Sequence, residues 1–549
     1  MSVARVVCLQ KIFSVIFLLN IFFFPLKIHA NAIAVTNISL ANQDGEAETI
    51  DVEFDISWEN SWRGSVNYDA AWVFVKYSTD SGVTWSHATL KTSDTSTGYD
   101  KNATQLGYSR GTGTLLDIVV PDDNTTSAGG GYGAFLYRSY PGTGTVDTDD
   151  IDLVWDWAAD GLTSTTQARV KVFAIEMVYI PEGPFYIGDG TSTLESLFAF
   201  HQDGVDNNPV QITTSAKNID ADAIMDRSIL VDGDGGIDKD GTSAVDNANW
   251  PTGYKSFYLM KYEISQGAFR DFLNTLTLTQ QQTRTNASLS GNDAGDHVMI
   301  DESAAMVYRQ TIIAESDPGS GPYTFGCDFS GDNTADGSSD GEWIAMNYMS
   351  WMDLCAYMDW AGLRPFTELE FEKACRGPNE AVYGEYAWGT TNITRATTLS
   401  SSATVSETVT QSGKGLCAYD MGITGPLRSG FAAKSGTSRL TSGAGYYGAM
   451  ALSGNAPEQC VTLGNSTGRL FQGSHGDGVL SAAGNATNSD WPGYSSGEVT
   501  AGTGSGIRGG YYSVIDDFAM VSYRNLAASP AAARAYMYGG RCARSSSED

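Results

Sequence analysis

Cysteine and histidine are the residue types in this chain that could support metal binding or redox chemistry. The sequence contains 7 cysteines and 5 histidines, of which Cys8 and His29 lie in the first 30 residues. The others are scattered, with no CxxC pair and no HExxH sequence. This spacing predicts no zinc ribbon, no thioredoxin-like site and no zinc-protease site.

A second candidate for metal chemistry is the acidic segment from Asp232 to Asp240, in which carboxylates alternate with other residues. Alternating carboxylates can converge on one hard cation such as calcium. An EF-hand would need Asp or Asn at Gly236 and a Glu downstream, and both are missing. The pattern leaves two interpretations open, a calcium loop and a solvated acidic loop.

The N-terminus reads as a secretion signal. Arg5 and Lys11 precede an apolar run from Ile12 to Leu26, and Ala30-Asn31-Ala32 offers small residues for cleavage after Ala30 or Ala32. The alternative is an uncleaved anchor, although the run is shorter than the ~20 residues that a membrane span needs. We expect a secreted protein that is extracellular, on the cell surface or in the periplasm, with no transmembrane span after signal removal.

The charge of the chain excludes one class of partner. Its formal net charge is −31 at pH 7. Nucleic-acid binding needs clustered Lys and Arg, so no nucleic-acid partner is expected. An acidic surface fits an extracellular protein that meets divalent cations, and it fits simple solvation equally well.

The elements that would position any site fall into two regions, which follow the predicted signal peptide at 1–30. Residues 31–175 contain short alternating strands with no helical period, which predicts an all-β sandwich of roughly seven strands. Ser78 to Trp85 matches the Asp-box hairpin S-x-D-x-G-x-T-W, which we interpret as a structural turn.

Residues 176–549 differ in character, with an acidic Gly- and Asp-rich insertion at about 189–250. Three helices are predicted there, capped by Ser265, Ser350 and Thr367, and the last has the capping box Thr367-Glu-Leu-Glu370. The remainder is rich in Gly, Ser and Thr, which predicts a large loop-rich α+β domain.

The motifs of this second region resemble those of the formylglycine-generating enzyme (sulfatase-modifying factor) family, and they occur in the family's order. They are Met177–Gly188, Tyr258–Ser265, Asn347–Trp351, Trp360–Gly377, Tyr386–Gly389, Gly454–Glu458, Arg508–Gly510 and Gly539–Arg544. The resemblance implies a C-type-lectin-like fold. Most of the matching residues have architectural roles, and we expect Arg364 and the glutamates of the third helix to form structural ion pairs.

The family's chemistry depends on a copper ion held by two thiolates that follow the Arg-Gly-Gly motif. Alignment on Arg508 places Val514 and Ala519 at those two positions, and no cysteine lies between Cys460 and Cys542. Thiolates suit soft Cu(I), so copper is not expected and no catalytic residue is assigned. The iron-binding H-x3-H-x-E motif of a related branch is also absent.

The resemblance also carries expectations for the other cysteines and for calcium. Relatives bridge the second helix to the closing motif, which implies a disulfide between Cys355 and Cys542, and Cys375 could pair with Cys460. Cys327 and Cys417 then remain, either paired or free.

In relatives, the Gly-Asn-x-x-Glu segment binds calcium, which implies Glu458, Gly454 and Ala456 as ligands here. Ala451 lacks the family's remaining ligand oxygen and Pro457 replaces its Trp, so a turn-capping Glu458 is the alternative.

Two functions are compatible with these features. The first is a secreted non-catalytic binding or surface-structural protein. Its partner would be a glycan, a peptide or another surface protein, or the chain would assemble with itself. The ligand groove would be lined by Tyr511, Tyr512, Asp516, Asp517 and Phe518. The second is a metal-dependent oxidoreductase of the same superfamily with altered metal ligands.

Overall fold

The computed structural model describes the chain in twelve stretches. They are residues 33–92, 110–123, 125, 130–189, 199–200, 209–215, 219–220, 236–237, 247–289, 294–300, 306–434 and 436–546. The predicted signal segment and most of the predicted calcium loop at 232–240 lie outside these residues.

The first region is built from nine strands. They are Ala34–Asp44 (β1), Thr49–Arg63 (β2), Asp69–Ser78 (β3), Ser86–His87 (β4), Arg110–Gly113 (β5), Leu116–Val119 (β6), Ala134–Arg138 (β7), Gly142–Asp156 (β8) and Arg169–Ile180 (β9).

The strands of the second region are mostly two to five residues long. They are Phe185–Ile187 (β10), Val210–Ile212 (β11), Ile219–Asp220 (β12), Gly236–Ile237 (β13), Phe257–Met260 (β14), Ile312–Ser316 (β15), Thr324–Cys327 (β16), Thr394–Arg395 (β17), Leu399–Ser400 (β18), Thr408–Val409 (β19), Leu416–Cys417 (β20), Glu458–Val461 (β21), Tyr494–Ser495 (β22), Glu498–Val499 (β23), Ser505–Arg508 (β24) and Ala543–Ser545 (β25).

Helices occur only in the second region of the described chain. They are Gln266–Leu273 (α1), Leu278–Arg284 (α2), Trp351–Trp360 (α3), Glu368–Arg376 (α4), Arg439–Ser442 (α5), Ser466–Arg469 (α6) and the 3₁₀ helix Asp516–Ala519. No helix of the described residues is long and apolar enough to cross a membrane.

Two sheets enclose the core of the first region. One has the strand order β1-β2-β8-β5, and the other has the order β25-β14-β9-β3-β7-β6, with β4 paired to β3. Alternate residues of β2, including Phe54 and Trp58, point inward and pack with Val73 and Leu136 of the second sheet. The β-rich organisation of the chain is therefore confirmed.

The second sheet does not stop at the end of the first region. Residues 169–178 of β9 pair with the whole of β3, and the last residues of β9 pair with β14, as in Met177 with Met260. The predicted boundary between residues 175 and 176 falls inside β9. A self-contained N-terminal sandwich is not established, because one sheet belongs to both regions.

The Asp-box hairpin forms after β3 as its sequence predicts. Asp80 accepts hydrogen bonds from the backbone N–H groups of Val83 and Thr84 and from the hydroxyl groups of Ser78 and Thr84. These bonds lower the pKa of Asp80 to about 2, with the Thr84 backbone contributing most. The motif therefore acts as a structural turn, and its Trp85 lies under the Lys171 ammonium group.

All three predicted helices begin at their predicted caps. The side chains of Ser265, Ser350 and Thr367 each accept a hydrogen bond from the backbone N–H three residues later. Thr277 caps the additional helix α2 in the same way. The inward faces of α1 and α3 join β14 in the largest hydrophobic core, and α4 packs beside it.

Candidate functional site

Arg508 fixes the start of the segment that contains Val514 and Ala519. It ends β24, which pairs with β21, and it is completely buried. Its guanidinium group contacts Glu368 at 3.0 Å and Glu372 at 2.7 Å, both on α4. Arg524 binds Glu368 as well, at 2.7 Å. Helix α4 therefore anchors both ends of the segment 508–524.

A second set of buried ion pairs completes this anchor. Arg376 contacts Glu372 at 3.0 Å, and Arg364 binds Glu370 through two nitrogens at 2.7 and 3.0 Å. The expectation of structural ion pairs on the third predicted helix is confirmed. Side chains that are held by two charge-assisted bonds have little rotational freedom, so the loop that follows Arg508 starts from a rigid base.

Val514 and Ala519 are the residues that alignment on Arg508 places at the copper positions of the family that the sequence resembles. Val514 is half-buried, and its carbonyl accepts a hydrogen bond from the Asp420 backbone N–H at 2.7 Å. Ala519 is buried, and its carbonyl accepts a bond from the Ser453 hydroxyl at 2.7 Å. Neither side chain offers a donor atom to a metal.

Cys417 lies next to this position, which the sequence does not reveal. It packs in one cluster with Ala519, Tyr386 and Trp388, and its thiol donates to the Ser453 carbonyl at 3.1 Å. Burial raises the pKa of Cys417 well above its ordinary value. The thiol is therefore neutral and packed, and it is the wrong species for a soft metal, which binds thiolate.

Tyrosines from four separate loops meet beside this segment. We call Tyr308, Tyr348, Tyr511, Tyr512 and Tyr536 the tyrosine cluster. The rings of Tyr308 and Tyr536 stack with centroids 4.5 Å apart, and Tyr512 lies 6.5 and 6.3 Å from them. The Tyr512 hydroxyl donates to the Tyr536 carbonyl at 3.1 Å. Burial, followed by the neighbouring tyrosines, raises the pKa of Tyr512 well above its ordinary value.

The backbone under the tyrosine cluster adopts unfavourable conformations. Tyr308 and Tyr348 have φ angles of 49° and 56°, in the left-handed region that bulky residues avoid. Hydrogen bonds hold both: the Asn347 amide donates to the Tyr308 carbonyl at 3.0 Å, and the Tyr348 N–H donates to the Ala535 carbonyl at 3.1 Å. Strain that the surrounding structure maintains in this way is concentrated at functional sites in proteins.

The five predicted groove residues divide between two environments. Tyr511 and Tyr512 belong to the tyrosine cluster, whereas Asp516, Asp517 and Phe518 lie in the 3₁₀ helix. Phe518 packs on Tyr523 at 4.8 Å, and the charge of Asp516 contributes to the raised pKa of Tyr386 and of Tyr419, after burial. Asp516 therefore lies near the aromatic side chains of Tyr386 and Tyr419.

The predicted calcium residues form a tight turn. Glu458 is buried and contacts Arg541 at 2.6 Å, and burial nevertheless raises the pKa of Glu458 to about 8. The turn at Gly454 and Ala456 is held by Glu263, which accepts the Ala456 N–H at 2.9 Å. No group of three or more His, Cys, Asp or Glu side chains among the described residues could hold a metal ion. Calcium at this turn stays a prediction.

The structure contains neither of the predicted disulfides. All six described cysteines are buried free thiols. Cys355 and Cys542 are nevertheless neighbours, since a charge on Cys542 contributes to the raised pKa of Cys355, after burial and Asp359. Cys375 and Cys460 pack in a common hydrophobic cluster with Phe371.

Comparison with known proteins identifies the second region. The model of one protein family, described as "Sulfatase-modifying factor enzyme 1-like domain", matches residues 163–546. One solved structure, PvdO from Pseudomonas aeruginosa, shares 13% identity, covers 68% of this chain and 95% of its own, and superposes with a TM-score of 0.28. No curated protein matches the chain.

Proposed function

This chain belongs to the sulfatase-modifying factor family, and we propose that it is a secreted, non-catalytic binding protein of that family. The observation that carries the proposal is a replacement. Alignment on Arg508 places Val514 and Ala519 where the family holds copper, and Tyr511 and Tyr512 of the tyrosine cluster belong to the same loop.

The composition of the site favours a glycan or a peptide as ligand. Half-buried tyrosines offer a large apolar surface with a polar hydroxyl group at its edge, which suits ligands of both kinds. Asp516 and Asp517 add carboxylate acceptors nearby. Tyr419 and Tyr386 extend the aromatic surface on that side.

The rigidity of the site favours binding in another way. Tyr308 and Tyr348 are held in left-handed conformations by hydrogen bonds, and the segment 508–524 is anchored on α4. A ligand would therefore order few side chains when it binds, which limits the entropic cost of association. Such pre-organisation is of use to a binding protein that has no reaction to perform.

Secretion is part of the proposal. The charged start, apolar run and small residues of 1–32 have the pattern of a cleaved signal peptide. The mature protein would then be extracellular, attached at the cell surface or periplasmic. A surface-structural role, in which the ligand is another surface protein or a second copy, falls within the same proposal.

Binding of the mature protein to arrays of oligosaccharides and of peptides tests the proposal. We expect retention of one ligand class, with Tyr308→Ala weakening binding by about 5- to 150-fold through loss of an aromatic contact of roughly 1–3 kcal/mol. Tyr140→Ala is the matched control, because Tyr140 is 69% exposed and lies in the β7–β8 turn, away from the cluster. Equal binding by both variants, or oxygen consumption by metal-loaded protein, would contradict a non-catalytic groove and favour an oxidoreductase.

A further inference from the structure

A small cavity lies at the junction of the shared sheet and helix α1. Its volume is about 100 Å³, and its lining includes Ile33, Glu176, Tyr262, Glu263 and Ser429. Ile33 directly precedes β1, whose register on β2 is fixed from Ala34 onward. Strand pairing therefore holds the first described residues of the chain at the edge of this cavity.

The charges around the cavity do not balance. Lys261 is the cation that binds both Asp69, at 3.0 Å, and Glu176, at 2.9 Å, and all three side chains are buried. Asp69 also accepts bonds from the Trp58 indole and the Ser61 hydroxyl. One lysine therefore neutralises two carboxylates. Asp69 accepts further hydrogen bonds from its other neighbours.

Glu176 has fewer hydrogen-bond donors than Asp69. Its Oε2 contacts Lys261, but its Oε1 is buried and has no hydrogen-bond partner. Glu263, on the same cavity, differs, because its two oxygens accept bonds from Ala456, Asn455 and Ser429. An unpaired buried carboxylate oxygen is costly, so a donor with positive charge would be strongly favoured in the cavity.

We propose that the α-ammonium group of Ile33, released by cleavage after Ala32, docks in this cavity and donates a hydrogen bond to Glu176. The inference rests on the secretion that is part of the proposed function. Cleavage at this bond leaves Ala30 and Ala32 at the small-residue positions that a signal peptidase requires. Hydrolysis adds one water molecule to the Ala32–Ile33 peptide bond and yields a carboxylate on Ala32 and the ammonium group on Ile33.

Docking would couple maturation to stability. Before cleavage, Ile33 has an amide nitrogen that carries no charge, so the Oε1 atom of Glu176 gains no cationic donor. After cleavage, the new ammonium group joins β1 to β9, which is the strand that both regions of the chain share. The mature protein is therefore more stable at this junction than its precursor.

The test uses the secreted full-length protein and a double-mutant cycle. One variant carries Gly-Gly inserted between Ala32 and Ile33, a second is Glu176→Gln, and a third combines them. Intact mass establishes the cleavage site of each, and thermal unfolding gives its Tm. Glu53→Gln is the matched control, since Glu53 lies on β2 opposite Ser39 of β1 but does not line the cavity.

We expect the mature chain to begin at Ile33 and the insertion to lower its Tm by at least about 2 °C. The same insertion should have no effect in the Glu176→Gln background and its full effect in the Glu53→Gln background. The docking is overturned if the insertion lowers the Tm equally in the Glu176→Gln background, or if it does not change the Tm of the wild type. Either result has this meaning even in a protein that is secreted and binds its ligand. A mature chain that begins at Asn31 overturns it as well, whereas a retained signal also removes the secretion part of the proposed function.

Discussion

Arg508 and Glu368 form an ion pair from which solvent is fully excluded, with Nη1 and Oε2 3.0 Å apart. Replacing Arg508 by Met would remove this buried positive charge and leave Glu368 and Glu372 with one arginine each, Arg524 and Arg376. We expect Arg508→Met to lower the free energy of unfolding by roughly 3–5 kcal/mol, measured by urea denaturation. The exposed pair of Arg395 and Asp420 is the control, and Arg395→Ala should cost less than about 1 kcal/mol.

The Asp-box should make stability depend on pH in a defined direction. Because hydrogen bonds lower the pKa of Asp80 to about 2, its contribution is present above the ordinary carboxyl pKa and is lost as the pH falls through 2. Asp80→Ala should therefore lower the Tm by a few degrees at pH 7 and by progressively less towards pH 2, in differential scanning calorimetry.

Asp149 provides the opposite case. The charge of Asp55, followed by burial and other nearby aspartates, raises the pKa of Asp149. Asp149→Asn should therefore leave the Tm unchanged or increase it at pH 7. If Asp149→Asn lowered the Tm as much as Asp80→Ala does, the lower Tm of Asp80→Ala would reflect the loss of any aspartate side chain and not the loss of the hairpin hydrogen bonds.

The cysteines should be unreactive until the protein unfolds. All six described thiols are buried, and burial raises the pKa of every one of them, including Cys327 and Cys375. We expect no reaction of the native reduced protein with a thiol reagent at pH 8 and complete reaction in denaturant. After mild oxidation, peptide mapping should recover Cys355 linked to Cys542 first, because these two are neighbours. Recovery of a different first pair would contradict that proximity.

Asp359 at the end of α3 should give a second pH effect. It accepts the backbone N–H groups of Asp477 and Thr487 at 3.0 Å, yet burial, followed by the charge of Asp477, raises the pKa of Asp359 to about 7. The folded state then binds a proton that the unfolded state releases near its ordinary pKa. The stability of the wild-type protein, relative to Asp359→Asn, should therefore fall as the pH rises from about 4 to 7. A flat difference across that interval would contradict the raised pKa.

A buried lysine near Asp359 should titrate in the opposite sense. Lys76, on β3, is buried near Asp359, and burial lowers the pKa of Lys76 to about 7. The contribution of Lys76 to stability rises with pH above about 7, because the unfolded state keeps the lysine proton up to the ordinary lysine pKa while the folded state has released it. In the same unfolding measurements, Lys76→Met should therefore change how stability depends on pH above pH 7. Between pH 4 and 6 the pH dependence of stability should be the same as in the wild type.

Local signals in the sequence predicted the local structure well. Ser265, Ser350 and Thr367 cap their helices because a cap depends on residues three positions apart. The Asp-box forms for the same reason, since Asp80 binds groups within four residues. The family motifs, which run from Met177 to Arg544, all lie within the matched region 163–546.

The tyrosine cluster could not be predicted in the same way. Tyr308, Tyr348, Tyr512 and Tyr536 come from distant loops, and left-handed backbone at two of them has no signature in a non-glycine residue. Cys417 next to Ala519 was missed for the same reason. Contacts between loops depend on the whole scaffold, and a single sequence does not encode their pairing in any local pattern.

The position of β25 has a consequence for how this chain can fold as it is synthesised. Strand β25, at residues 543–545, is one edge of its sheet, whereas β3, the first strand of that sheet along the chain, begins at Asp69. From β3 to this edge the neighbouring strands are β9, β14 and β25, in the order in which they are synthesised. An uncovered edge must therefore persist on β9 until residues 257–260 emerge, and on β14 until residues 543–545 emerge. Because open strand edges invite pairing with other chains, the partly synthesised chain is exposed to such pairing until β25 has formed.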